Sequence, residues 1–146
     1  MQYSNEEGLR HFRFLANQTK HRPVSAAALT MLLELNLPTN HAGFDYLLRS
    51  VEVCYQHSLW SMCQIYEAVA ASYSYPVSNE TVEQAVRSAI RKAWKNKNPF
   101  VWKYYFSQDL DGIIKKPTNS EFISRIARVL QLCQELQEEV GYEQTK

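Results

Sequence analysis

Apolar residues recur at helical spacing along nearly the whole chain. The cleanest stripe is Val82, Ala85, Val86, Ala89, Ile90, Ala93 and Trp94, which predicts one amphipathic helix. It starts at Ser78 or Asn79 and ends at Lys95-Asn96-Lys97-Asn98. Phe44, Leu47, Leu48, Val51 and Tyr55 predict a helix over 41–56, and Met62, Tyr66, Val69 and Ala70 another over 59–73. Asn98-Pro99 reads as an N-cap with proline at the first helical position, opening a short aromatic helix to Phe106. After a polar loop over 109–116, Thr118-Asn119-Ser120-Glu121 reads as a capping box. The closing helix it starts carries Phe122, Ile126, Val129, Leu130, Cys133 and Leu136. Toward the N-terminus, a weaker helix over 5–18 has Leu9, Phe12 and Leu15, and Pro23 interrupts the chain. Residues 25–35 follow with Leu29, Leu32 and Leu33 as anchors, closed by Asn36-Leu37-Pro38. No strand pattern and no internal repeat compete. The expected fold is all-α: six or seven short helices around one core, containing a helix-turn-helix.

Composition narrows this picture. A chain of 146 residues, 45% hydrophobic and 21% charged, suits one folded domain and excludes a disordered or low-complexity one. The expected division is a helical N-terminal extension over 1–24, the domain over 25–136 and a polar tail over 137–146. No apolar run approaches the roughly 18 residues of a membrane span, and Glu6 and Glu7 stand where a signal segment would be basic and then apolar. Cytoplasm is the default location. Cys54, Cys63 and Cys133 are odd in number, form no CxxC pair and lie in helical stretches. They read as small buried hydrophobes rather than a disulfide scaffold.

Enzymatic chemistry finds little support. His11, His21, His41 and His57 are scattered without an HExxH arrangement, so no metal is expected. Four glycines supply no phosphate loop, and no cofactor is expected. Cys54 and His57 are close in sequence but have no orienting partner. The aromatic run Trp102, Tyr104, Tyr105 and Phe106 reads as core filling rather than a stacking platform for bases.

Charge distribution says more than the net value of +1. Residues 84–103 hold Arg87, Arg91, Lys92, Lys95, Lys97 and Lys103 and no acid. Such a one-sided patch attracts a phosphate backbone, although a solvated helix face has the same composition. The helix that carries it follows another across a turn at Ser74-Tyr75-Pro76, a helix-turn-helix order. Ala85 and Ala89 would let the second helix sit close against the first. Its outer face presents Glu80, Glu83, Gln84, Arg87, Ser88 and Arg91, then Lys92 and Lys95. Hydrogen-bonding groups thus come first, where a major groove is read, and positive charge follows. Glu83 and Arg87 are also four residues apart, so an intrahelical ion pair competes with DNA contact for both. A helical protein-interaction module is the alternative to DNA binding.

The chain from Leu29 to Leu132 resembles the C-terminal DNA-binding domain of the master response regulator of endospore formation. The likeness rests on LNLPTNHAGFDYLLRSVEVCYQH at 35–57, IYEAVAASYSYPVSNETVEQAVRSAIRKAW at 65–94, KNKN at 95–98 and KPTNSEFISRIARVL at 116–130. KPTNSEFI is its most specific part. The resemblance implies about six helices, duplex DNA as partner, and transcriptional regulation early in sporulation. It also implies contact with RNA polymerase and a head-to-tail homodimer on tandem sites. The family reads bases through an arginine, a glutamate and a second arginine, which fall here on Thr81, Glu83 and Gln84. Arg87 falls on a retained arginine, and Ser88 replaces a histidine. Base-contact candidates are therefore Thr81, Glu83, Gln84 and Arg87. Phosphate-contact candidates are Ser88, Arg91, Lys92, Lys95, Lys97 and Lys116. Two lost arginines remove bidentate pairs to guanine, each worth roughly 1–3 kcal/mol of discrimination, and predict weakened or redirected site choice. Full-length members carry a receiver domain ahead of this one. Residues 1–28 are too few for it, so a stand-alone relative or a fragment is expected.

Overall fold

The computed structural model describes residues 24–106 and 113–144. Periodicity becomes six helices there: α1 (Val24–Glu34), α2 (Ala42–Gln56), α3 (Met62–Ala71), α4 (Asn79–Lys95), α5 (Pro99–Phe106) and α6 (Asn119–Gln144). No strand occurs among the described residues, and the all-α expectation holds. The helix expected over 5–18 lies outside the described residues, as do 109–112 of the polar loop. No helix among the described residues is long and apolar enough to cross a membrane.

The other elements gather on α2, which packs against α1, α3, α4 and α6. Phe44, Tyr46, Leu47, Val51 and Cys54 form its buried face, close to the stripe read from sequence; Leu48 and Tyr55 flank the core half-buried. Each fully buried aliphatic or aromatic side chain contributes about 1.5–3 kcal/mol relative to exposure; α2 supplies Leu47 and Val51 to this core, and α6 adds Phe122, Ile123 and Ile126.

The phase expected for α1 is wrong. Ala27, Ala28, Met31 and Leu32 are buried, whereas Leu29 and Leu33 are 38% and 50% exposed. Two alanines place the backbone of α1 close to its neighbours, so the buried face follows these small residues and rotates two of the three expected leucine anchors outward. The end of α1 is as read. Asn36 adopts a left-handed φ of 64°, its N–H bonds to Leu33 O at 3.0 Å, and Leu37 N–H bonds to Leu32 O at 3.1 Å. This is a Schellman closure, with Leu32 and Leu37 both buried beneath it.

Helix α5 packs aromatic rings beside the end of α1, where the Tyr105 hydroxyl donates to Glu34 at 2.9 Å. Trp102 is fully buried against Trp94, Phe106 and Phe122, and its Nε1–H donates to Leu35 O at 3.2 Å. Asn98 Oδ1 accepts from Phe100 N at 3.0 Å, as its capping role requires.

Three local expectations need correction. Helix α3 begins at Met62 and not near Leu59, because Ser61 and Gln64 form a reciprocal capping box that the sequence reading missed. The box expected at Thr118 is half formed. Thr118 Oγ1 accepts from Glu121 N at 3.1 Å, but the Glu121 carboxylate accepts a hydrogen bond from the Thr118 hydroxyl, at 3.1 Å, instead of from the backbone N–H. Cys54 and Cys133 are buried thiols, whereas Cys63 is exposed, because it lies in the first turn of α3 on its solvent side.

Candidate nucleic-acid interface

Helix α4 forms because several local signals agree. Ser78 has extended backbone and its Oγ accepts from Thr81 N at 3.1 Å, satisfying one orphan donor of the first turn. Glu80 sits at the positive end of the helix dipole, Lys92 and Lys95 at the negative end. Val82, Val86, Ala89, Ile90 and Ala93 are buried, which fixes the opposite face as outward. Glu80, Thr81, Gln84, Arg87, Arg91, Lys92 and Lys95 are exposed there, with Glu83 and Ser88 half-buried at its margins.

The turn between α3 and α4 spans 72–78, longer than the three or four residues of a minimal helix-turn-helix. Side chains hold it to α2. Arg49 donates to Asp45 at 3.2 Å and to Ser72 Oγ at 3.0 Å, and its guanidinium lies 4.4 Å over the Tyr73 ring. The Tyr73 hydroxyl donates to Asp45, while Tyr46 meets the Tyr73 ring edge-on at 5.3 Å between centroids. Burial, with the Asp45 carboxylate next, pushes the Tyr73 hydroxyl far above its ordinary range, so it stays a donor at any physiological pH.

Helix α4 also lies directly on α2. A Cβ on Gly43 would overlap the carbonyl oxygen of Ala85, so only glycine permits this approach. Ala85 thus serves contact with α2, where the sequence reading assigned it to the preceding helix of the motif. Beside it, His41 Nδ1 accepts from Gly43 N at 2.9 Å and caps α2. Its Nε2 therefore carries the proton and faces Ser88 Oγ at 3.4 Å.

The candidate residues divide by how firmly they are held. Thr81 Oγ1 shares a hydrogen bond with the cap Ser78 Oγ at 2.8 Å. Arg87 and Glu83 form an ion pair at 2.6 Å with both side chains about half exposed, the arrangement that i, i+4 spacing allows. Ser88 is turned toward His41. Lys97 donates to Trp94 O at 3.1 Å and covers the Trp94 ring at 3.8 Å, so its ammonium closes the end of α4. Gln84, Arg91, Lys92 and Lys95 project from the exposed face. Lys116 stands apart in sequence but joins Glu83 and Arg87 in lining a cleft of about 570 Å³ between α3, α4 and the start of α6.

Asn119 was missed as a site residue, although KPTNSEFI singled out its surroundings. Its Nδ2 donates to Glu83 O at 3.0 Å and to the Tyr66 hydroxyl at 3.2 Å, joining α6 to α4 and α3. Contacts across 36 and 53 residues leave no local signal.

These elements define an all-helical domain built around a capped helix-turn-helix with a basic, outward-facing second helix. Residues 28–130 match the family described as Sporulation initiation factor Spo0A C terminal, and the chain belongs to that family. The family is a DNA-binding regulatory domain of a sporulation regulator and not an enzyme.

Proposed function

We propose that this domain binds duplex DNA sequence-specifically through α4 and regulates transcription from the cytoplasm. The supporting observation is the polarity of the exposed α4 face, with hydrogen-bonding side chains in the first turns and Arg91, Lys92 and Lys95 beyond. The first turns enter the major groove, where Gln84 pairs with an adenine edge and Arg87 with guanine or a phosphate. Glu83 accepts from a cytosine amino group when Arg87 releases it, and Thr81 contributes a hydroxyl near the same bases. Arg91, Lys92 and Lys95 contact the flanking backbone, with Ser88, Lys97 and Lys116 at its edges. Contact with RNA polymerase and paired occupancy of tandem sites belong to the same reading.

Selection from a randomised duplex pool at about 150 mM salt, near physiological ionic strength, tests it. One enriched motif is the expected result. Retention without enrichment reduces the function to backbone affinity. Failure of the folded protein to retain any duplex favours protein interaction.

A further inference from the structure

We propose that Asn119 and Tyr66 are positioning residues that hold the first turns of α4 in register for base readout, an inference that rests on the DNA-binding reading above. A carboxamide carries two N–H donors, so Asn119 can serve Glu83 O and the Tyr66 hydroxyl together. The Glu83 carbonyl has a second lone pair beyond the one its own helix uses, and Asn119 takes it. The three groups come from α4, α3 and α6, and they meet one residue from Gln84 and four from Arg87. Tyr66 is almost fully buried, so its hydroxyl is a fixed post and not a mobile surface group.

Placement distinguishes this clamp from an ordinary stabilising contact. The start of α4 is capped by Ser78, while the buried stripe and the Gly43–Ala85 contact seat the helix on α2. The Asn119 bond to a carbonyl in the second turn adds a directional tie to α6 and, through Tyr66, to α3, because N–H···O bonds weaken steeply outside a narrow range of distance and angle. Base-edge pairing has the same tolerance. Phosphate contact through long lysine and arginine stems does not, since the charge reaches several backbone positions.

Asn119→Asp is the main test. It keeps the side-chain shape and favours a helix N-terminus, but it places an acceptor against the Glu83 carbonyl and cannot donate. Tyr66→Phe is the second, because it removes only the hydroxyl. Binding of each full chain is measured on the duplex selected by the wild-type protein and on a scrambled duplex of equal length, alongside thermal denaturation. The expected result is a loss of about tenfold in the selected-to-scrambled affinity ratio for Asn119→Asp, within the range of a single base contact. Tyr66→Phe should lose less, in the same direction. Unchanged ratios in both folded variants overturn the clamp while leaving DNA reading intact. If the wild-type chain selects no motif at all, the DNA reading fails and the clamp's role falls with it.

Discussion

The two ends of α4 are built differently. Its first turns are tied: Thr81 to the cap, Glu83 to Arg87 through its carboxylate and to Asn119 through its carbonyl. In its last turns the backbone carbonyls are capped by Asn96 and Lys97, but the side chains of Arg91, Lys92 and Lys95 project from the surface. Reading base edges needs atoms placed within a fraction of an ångström, whereas attracting phosphates needs charge within reach. One helix thus combines a stiff half and a compliant half, and the change falls near Ser88.

The largest way to break this contrast is to remove the platform under both halves. Gly43→Ala puts a methyl into the Ala85 carbonyl and should cost about 1–3 kcal/mol, seen as a lowered thermal midpoint and weaker binding to every duplex. Next in size is the compliant half alone. Arg91→Ala combined with Lys92→Ala should weaken selected and scrambled duplexes alike and reduce the salt slope of log affinity by about 2, measured by titration across salt concentrations. Gln84→Ala acts on the stiff half. It should change the enriched motif and cost roughly 1–3 kcal/mol on the selected duplex only; equal loss on every duplex would count against its role. The smallest effect is on the surface pair: Glu83→Ala should reduce stability by only about 0.3–0.5 kcal/mol by denaturation, while freeing Arg87 for phosphate.

The thiols supply a separate probe of the same contrast. Cys63 lines the cleft beside Glu83 and Arg87 and is exposed, while Cys54 and Cys133 are buried. Burial pushes the Cys133 thiol up to about 11, so it stays protonated and unreactive in the folded protein near neutral pH. Alkylation should therefore label Cys63 first, and a bound duplex should slow it if the stiff half is the part that enters the groove. Labelling of Cys63 that is unaffected by a saturating duplex would place the DNA elsewhere.

What was legible in the sequence was local. Ser78, the apolar stripe of α4 and its basic end lie within twenty residues, and each signal reinforces the next. The end of α1 was legible for the same reason, since Asn36, Leu37 and Pro38 act together. The phase of α1 was not, because leucines attract attention while Ala27 and Ala28 decide which side approaches the neighbours. The stiffness of α4 was also hidden. Its ties reach Asn119 and His41, 36 and 47 residues away from their partners, and no spacing rule connects such positions.

Asn36 shows how narrow a position can become when two demands meet. Its backbone closes α1 at φ 64°, and its Nδ2 donates to Asn96 O at 3.0 Å, beyond the last turn of α4. Glycine would accept the dihedral but has no amide to give. Glutamine has the amide but resists the dihedral, and aspartate accepts the dihedral yet cannot donate. Asparagine satisfies both at once, so tolerance to substitution here should be lower than its exposed place on the surface suggests.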